Sequence, residues 1–181
     1  MINITFRYLS IENYMHHILF LVCPFSCLEQ PLKQRYGKQH LFLTAPAAVF
    51  GWSQVDHLLA IRDVLVQQEI REICVVADTS CRFIHAVIQK NKPFGLSAEK
   101  ILIELYIDNY FRYFKDQAIE NQRDQLAKLI VQRQLDELIA VPFIGGCIQE
   151  NAIAVNGLVS SSRNFFKAIS LKPTQPINYG L

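Results

Sequence analysis

The sequence predicts an α/β fold with a mostly parallel central sheet of about four strands, flanked by helices on both sides. Short apolar runs at 18–22, 41–44 and 73–76 indicate buried strands, because parallel sheets are covered on both faces and their strands lack polar alternation. Helical patterns lie between these runs, and such alternation of strands and helices is typical of parallel sheets.

The first half of the chain supplies three strands and two helices. Gly37 provides a stop signal for a short helix, and Ser53 followed by Asp56 resembles a capping box before an amphipathic pattern. We expect strands at 18–22, 41–44 and 73–76, and helices at 28–36 and 54–68.

The second half is expected to be richer in helix. Gly145 and Gly146 separate two strand-like pieces, which suggests a closing hairpin. We expect helices at 82–89, 97–118 and 121–140, a turn at 91–95, and strand-like pieces at 141–144, 147–149 and 152–155. Residues 1–17 are expected to form an N-terminal arm, 18–160 one α/β domain, and 161–181 a loose or docked tail.

Composition narrows the class of protein. A chain of 181 residues with 51% hydrophobic residues can fill one core. The net charge of +2 is scattered, so we expect no nucleic-acid partner. Five cysteines, an odd number, do not suggest a secreted disulfide framework, so we expect a cytoplasmic protein. The run at 18–22 is too short to cross a bilayer and lacks signal-peptide flanks, so we expect no membrane partner.

Two cysteines follow neighbouring predicted strands. Cys23 begins the stretch Cys-Pro-Phe-Ser-Cys after the first strand, and Cys81 ends Asp-Thr-Ser-Cys after the third. Sites in α/β proteins form at the carboxyl ends of strands, so these two thiols are expected to converge. Two thiolates with one further ligand can hold a catalytic zinc ion.

The cysteine pattern resembles that of the β-class carbonic anhydrases, from about residue 18 to about residue 159. That family carries Cys-x-Asp-x-Arg after its first strand and His-x-x-Cys after its third, and Cys23 and Cys81 match the first and last cysteines at a similar separation. The resemblance implies a zinc site, a homodimer and hydration of carbon dioxide. It extends to the pattern of the intervening strand and helix and of the late helix and hairpin.

The site residues depart from the family at most other positions. The resemblance places Asp78 at the zinc histidine, Phe25 at the aspartate of the catalytic dyad, and Cys27 at the dyad arginine. Arg82 replaces the glycine that follows the last cysteine, and residues 45–49 replace the family's Arg-Asn-Ala-Gly-Asn loop. Neither dyad residue is retained, so family and activity must be judged separately.

The sequence therefore allows more than one set of metal ligands, or none. Asp78 could bind zinc beside Cys23 and Cys81 because zinc accepts carboxylate oxygen, and Cys27 could add a fourth ligand. Alternatively, Arg82 could pair with Asp78 and leave a metal-free pocket. Asp78, Thr79 and Ser80 also suit a simple helix N-cap.

Three functions remain from these residues. The first is a carbonic-anhydrase-like protein with an eroded site, with weak or no carbon dioxide hydration, that acts as a binding, regulatory or structural subunit. The second is a divergent zinc-dependent carbonate dehydratase that uses Cys23, Asp78 and Cys81. The third is a thiol redox protein in which Cys23 and Cys81 form a disulfide.

Overall fold

A five-stranded sheet forms the centre of the protein. The computed structural model describes residues 17–53, 55–161 and 165–169. The strands are β1 (His17–Val22), β2 (Leu41–Thr44), β3 (Ile70–Asp78), β4 (Ala154–Ser161) and β5 (Phe165–Ile169). Their order is β2-β1-β3-β4-β5; the first four are parallel, and β5 pairs antiparallel with β4. The predicted α/β class and mostly parallel sheet are confirmed.

Six α-helices are present in the described part of the chain. They are α1 (Glu29–Tyr36), α2 (Val55–Gln67), α3 (Arg82–Ile88), α4 (Ser97–Asp108), α5 (Ile119–Ala140) and α6 (Pro142–Glu150). Two short 3-10 turns, Pro24–Ser26 and Pro46–Ala48, follow β1 and β2, and a π-helical turn, Tyr110–Phe114, follows α4.

The two faces of the sheet bury unequal cores. On one face, side chains such as Leu19, Leu21 and Val75 pack with residues from α2 to α6. On the other face, Phe20 and Val76 pack with Leu28 and Leu32 at helix α1. Successive residues of a strand point to opposite faces, so β1 and β3, with both faces covered, read as continuous apolar runs.

The segment after α5 corrects the sequence prediction. The strand-like pieces predicted at 141–144 and 147–149 form helix α6 instead. Pro142 stands at the first turn of the helix, where its missing N–H costs nothing. Ile144 and Ile148, four residues apart, are both buried and form the packed face.

The helix predicted at 97–118 is shorter than expected. It ends at Asp108, and the wider π-helical turn follows and carries Phe114 into the core with 1% of its surface exposed. Asp116 has a left-handed backbone with φ 56°, which interrupts the helical path before α5.

The ends of the chain are only partly described. Residues 1–16 of the predicted arm and residues 170–181 of the predicted tail lie outside the described residues. Within that tail, β5 docks at the sheet edge and completes a hairpin with β4. No helix in the described part is both long enough and apolar enough to span a membrane.

Candidate functional site

The candidate site lies between β1 and β3, where the order in which the chain adds strands to the sheet reverses. Strand β1 lies between β2 and β3, and the helices that follow β1 and β3 pack on opposite faces. Such a switch point opens a crevice at the carboxyl ends of the two strands. Cys23 directly follows β1, and Cys81 stands three residues beyond β3. The topology therefore brings the two predicted cysteines to one place.

The two sulfur atoms are neighbours in the structure. Cys81 Sγ lies 3.9 Å from Cys23 Sγ, and each residue has 2% of its surface exposed. The Ala47 N–H donates to Cys23 Sγ at 3.2 Å. This N–H belongs to the 3-10 turn after β2, so a third neighbouring strand also contributes to the site. The predicted convergence of Cys23 and Cys81 is observed.

The pair shares its protons unequally. The Cys81 thiol donates to Cys23 and lowers the pKa of Cys23 to about 6, against the opposing effect of burial. Backbone N–H groups of Phe25 and Ala47 lower this pKa further. The pKa of Cys81 is raised because its proton is held by Cys23, and burial and the charge on Cys23 add to this effect. The geometry thus favours a thiolate at Cys23 beside a thiol at Cys81.

Asp78 occupies the end of β3, but its carboxylate bonds within its own turn. Asp78 Oδ1 accepts the Ser80 N–H at 2.6 Å and also the Ser80 hydroxyl. The residue is 1% exposed, and Oδ2 has no hydrogen-bond partner among the described residues. The bonding to Ser80 is a local side-chain turn. The predicted N-cap at residues 78–80 is wrong, because the N-cap of helix α3 is Cys81 and no described side chain bonds to the free N–H groups of its first turn.

Arg82 does not pair with Asp78. No ion pair between these two side chains occurs within 4.0 Å, and the Arg82 guanidinium stacks instead on aromatic rings, including that of Phe25 at 4.8 Å. Phe25 packs edge-to-face on Phe83, with ring centroids 5.6 Å apart. The aromatic neighbourhood of Arg82 was not predicted, because Phe25, Phe83 and Phe94 come together only through the fold.

Cys27 lies apart from the buried thiols. It is exposed, and its backbone is left-handed with φ 53°. The other two cysteines, Cys74 and Cys147, are buried, and burial raises the pKa of Cys74. None of the five cysteines, all of which lie in the described ranges, is in a disulfide.

The sulfur pair fits half of a zinc site. Tetrahedral zinc with Zn–S bonds of about 2.3 Å separates two sulfur ligands by about 3.8 Å, which agrees with the observed 3.9 Å. However, no group of three His, Cys, Asp or Glu side chains is arranged to hold a metal ion in the described ranges. The orphaned Asp78 Oδ2 could become a third ligand only after the side chain moves, since Oδ1 is held by Ser80.

Comparison with known proteins assigns the fold. No family model matches the sequence, and no curated protein matches it. Solved structures do match. The β-carbonic anhydrase CafA of Aspergillus fumigatus superposes with a TM-score of 0.73 and 18% identity, over 86% of this chain and 76% of that one. A tetrameric β-carbonic anhydrase of Sordaria macrospora gives 0.73 and 14%, over 86% and 81%.

A third similar structure is the β-carbonic anhydrase of Coccomyxa in complex with acetazolamide. It superposes with a TM-score of 0.70 and 13% identity, over 86% of this chain and 72% of that chain. The protein therefore has a β-carbonic-anhydrase-like fold, as the sequence pattern predicts. At these identities the similarity establishes the fold alone.

Proposed function

We propose that this chain is a divergent β-carbonic-anhydrase relative that does not hydrate carbon dioxide efficiently and acts as a binding subunit. One observation carries the proposal: no acid–base group accompanies the sulfur pair at the positions of the family dyad. Phe25 is an aromatic ring packed on Phe83, and Cys27 is an exposed thiol.

The chemistry explains why these two replacements matter. In the family the resemblance points to, zinc supplies a bound water of lowered pKa, and the dyad orients it. The Phe25 ring has no hydrogen-bond acceptor for that task, and a thiol at Cys27 lacks the forked donors of a guanidinium. Nucleophile orientation would therefore be missing even with metal on the two cysteines.

Restoring the family residues tests this proposal. Stopped-flow hydration of carbon dioxide should show no activity above buffer for the wild-type protein incubated with zinc. The triple variant Phe25→Asp, Cys27→Arg and Asp78→His should gain hydration, because it rebuilds the dyad and the third ligand. The same variant with Cys23→Ser should lose that gain.

Metal analysis of the same samples separates the alternatives. Stoichiometric zinc together with efficient hydration by the wild-type protein would contradict the proposal. That result would establish the divergent carbonate dehydratase that uses Cys23, Asp78 and Cys81. Zinc without hydration would support a binding subunit with a retained metal.

The sulfur separation favours a second candidate function, a thiol redox protein. Hydrogen peroxide would oxidise the Cys23 thiol to a sulfenic acid with release of water. The Cys81 thiol would then attack that sulfur, form the disulfide and release a second water. Burial of both thiols favours a small oxidant over a bulky disulfide.

Intact-mass analysis tests this second candidate. One equivalent of peroxide should remove two hydrogens from the wild-type protein but not from Cys23→Ser or Cys81→Ser. Cys74→Ala is the matched control, because it removes a buried thiol outside the pair. Loss of two hydrogens from Cys81→Ser as readily as from the wild-type protein would assign the oxidation to another pair of thiols and contradict this candidate.

We also propose a homodimer in the cytoplasm. Support for assembly comes from the Sordaria protein, which is described as tetrameric, and from large apolar side chains such as Phe111, which is 83% exposed. Sedimentation equilibrium should give twice the chain mass of 20.8 kDa. A monomer at micromolar concentration would contradict the dimer.

A further inference from the structure

The Arg82 guanidinium lies among three phenylalanine rings. Its Cζ is 4.1 Å from the ring centroid of Phe94, 4.8 Å from that of Phe25 and 5.5 Å from that of Phe83. Each distance is within the range of cation–π attraction, which extends to about 6 Å. We call Arg82 with these three rings the arginine cradle.

The cradle is fixed by the fold before any ligand binds. Phe83 is 1% exposed and anchors the rings of Phe25 and Phe94 by edge-to-face contacts at 5.6 and 5.2 Å. The buried Glu99 accepts the Phe94 N–H at 2.8 Å and the Leu96 N–H at 3.0 Å, which holds the loop that carries Phe94. The guanidinium therefore loses little conformational entropy when it binds a partner.

The charge of the cradle is not neutralised by the described residues. Arg82 is exposed and makes no ion pair with a described carboxylate within 4.0 Å. Lys90 and Lys92, on the turn that leads to Phe94, are exposed and likewise lack such a pair. These three exposed cations outnumber the one described carboxylate that bonds to this loop, the buried Glu99, so the local charge would attract an anion.

The geometry points to the ligand class. The three rings lie within cation–π distance of the guanidinium, and its fork of N–H donors matches the two oxygens of a carboxylate. Phe25 and Phe94 are 48% and 46% exposed and offer apolar walls beside the charge. We propose that the arginine cradle binds a small carboxylate with an apolar body.

This proposal names a ligand class for the binding role proposed above and rests on it. The link is adjacency in the chain: Arg82 follows Cys81 directly, and Phe25 is two residues from Cys23. A ligand on the cradle would therefore contact the segments that carry the buried sulfur pair, and one of these segments has Phe25 at the position of the dyad aspartate of the resembled family. In this chain Phe25 and Arg82 would bind an anion, whereas the family's aspartate–arginine dyad orients the zinc-bound water.

Titration with benzoate, followed by NMR of the backbone amides, tests the cradle. Benzoate should shift the signals of Arg82, Phe83 and Phe94 in a saturable way. Benzamide, which lacks the charge, should bind at least about tenfold more weakly, since a hydrogen bond to a charged group contributes roughly tenfold to hundredfold in affinity. Acetate, which lacks the ring, should also bind at least about tenfold more weakly, because it buries no ring surface against Phe25 and Phe94.

Variants locate the site. Arg82→Gln should weaken benzoate binding by at least about tenfold, because the amide can still stack but has neither charge nor fork. Arg112→Gln is the matched control, since Arg112 is exposed and stacks on one ring, that of Tyr113, at 4.9 Å. It should bind benzoate like the wild type. Amide spectra of both variants confirm that they are folded.

Three results would overturn the inference. They are absence of saturable benzoate binding by the wild-type protein, equal binding of benzoate and acetate, and unchanged binding by Arg82→Gln. None of these depends on carbon dioxide hydration, so failure of the cradle and failure of the proposed function are measured separately.

Discussion

Cys23 is the residue at which the fold does most to change chemistry. The N–H that reaches its sulfur comes from Ala47, which has a left-handed backbone with φ 58°, and Ala48 follows with φ 57°. Such backbones disfavour residues with a Cβ by about 1–2 kcal/mol each. Strain at two successive alanines beside a low-pKa thiol is typical of a functional site.

The lowered pKa of Cys23 makes the stability of the metal-free protein depend on pH. The unfolded thiol holds its proton up to its ordinary pKa of 9.0, while the folded thiol releases it near pH 6. Between about pH 6 and pH 9 the unfolded state binds more protons, so the free energy of unfolding should rise with pH across this range. The contribution of the Cys23 thiolate is complete above pH 9 and is lost as the pH falls to about 6. Urea unfolding across this range measures the effect.

Comparison of two variants isolates the contribution of Cys23. Cys23→Ala should flatten the rise relative to the wild type, whereas Cys74→Ala should retain it, because the raised pKa of Cys74 acts only above its ordinary value. A rise of equal size in Cys23→Ala would assign the pH dependence to other groups.

Helix α6 shows how neighbouring glycines in one element can have different roles. A Cβ on Gly145 would lie 2.2 Å from the backbone oxygen of Ile139, whereas a Cβ on Gly146 would meet nothing within 4 Å. Gly145→Ala should destabilise the fold by about 1–3 kcal/mol through overpacking. Gly146→Ala should stabilise it by about 0.5–1 kcal/mol through helix propensity. Thermal unfolding of the two variants measures the difference, and equal effects would contradict the packing of α5 on α6.

The same element marks the limit of prediction from sequence. Strands β1 and β3 are recognisable because parallel strands buried on both faces are continuous apolar runs. In α6 the β-branched Val141, Ile144 and Ile148 suggest strand, and the two glycines suggest a turn, but packing against α5 overrides both local preferences. Helix propensity is a weak guide in such a short segment.

The candidate site also has one part that the sequence predicts and one part that it does not. The approach of Cys23 and Cys81 follows from strand order, so it could be predicted from residues that end two parallel strands. The bonding of Asp78 to Ser80 and the stacking of Arg82 on Phe94 depend on side-chain geometry that no spacing in the sequence specifies.

Across the whole molecule, one buried amide connects the long helix to the sulfur pair. Gln134 on α5 has no exposed surface; its Oε1 accepts the Phe50 N–H at 2.8 Å, and its Nε2 donates to Glu137 Oε2 at 2.8 Å. Phe50 follows the strained turn that presents the Ala47 N–H to Cys23. A hydrogen bond between residues 84 positions apart therefore helps to hold the turn over the sulfur atoms.

Replacement of this amide should affect both the fold and the distant thiol. Gln134→Leu leaves the buried Phe50 N–H unpaired, so we expect a loss of about 1–3 kcal/mol in unfolding free energy. The turn would loosen, and the pKa of Cys23 should move up from about 6 towards its ordinary 9.0.

Gln132→Leu is the matched control, because it breaks only an exposed bond to Asp136 on the same helix. Urea unfolding and thiolate absorbance against pH measure the two effects. A Gln134→Leu protein with lowered stability but an unchanged Cys23 pKa would show that the amide supports packing without reaching the thiol pair.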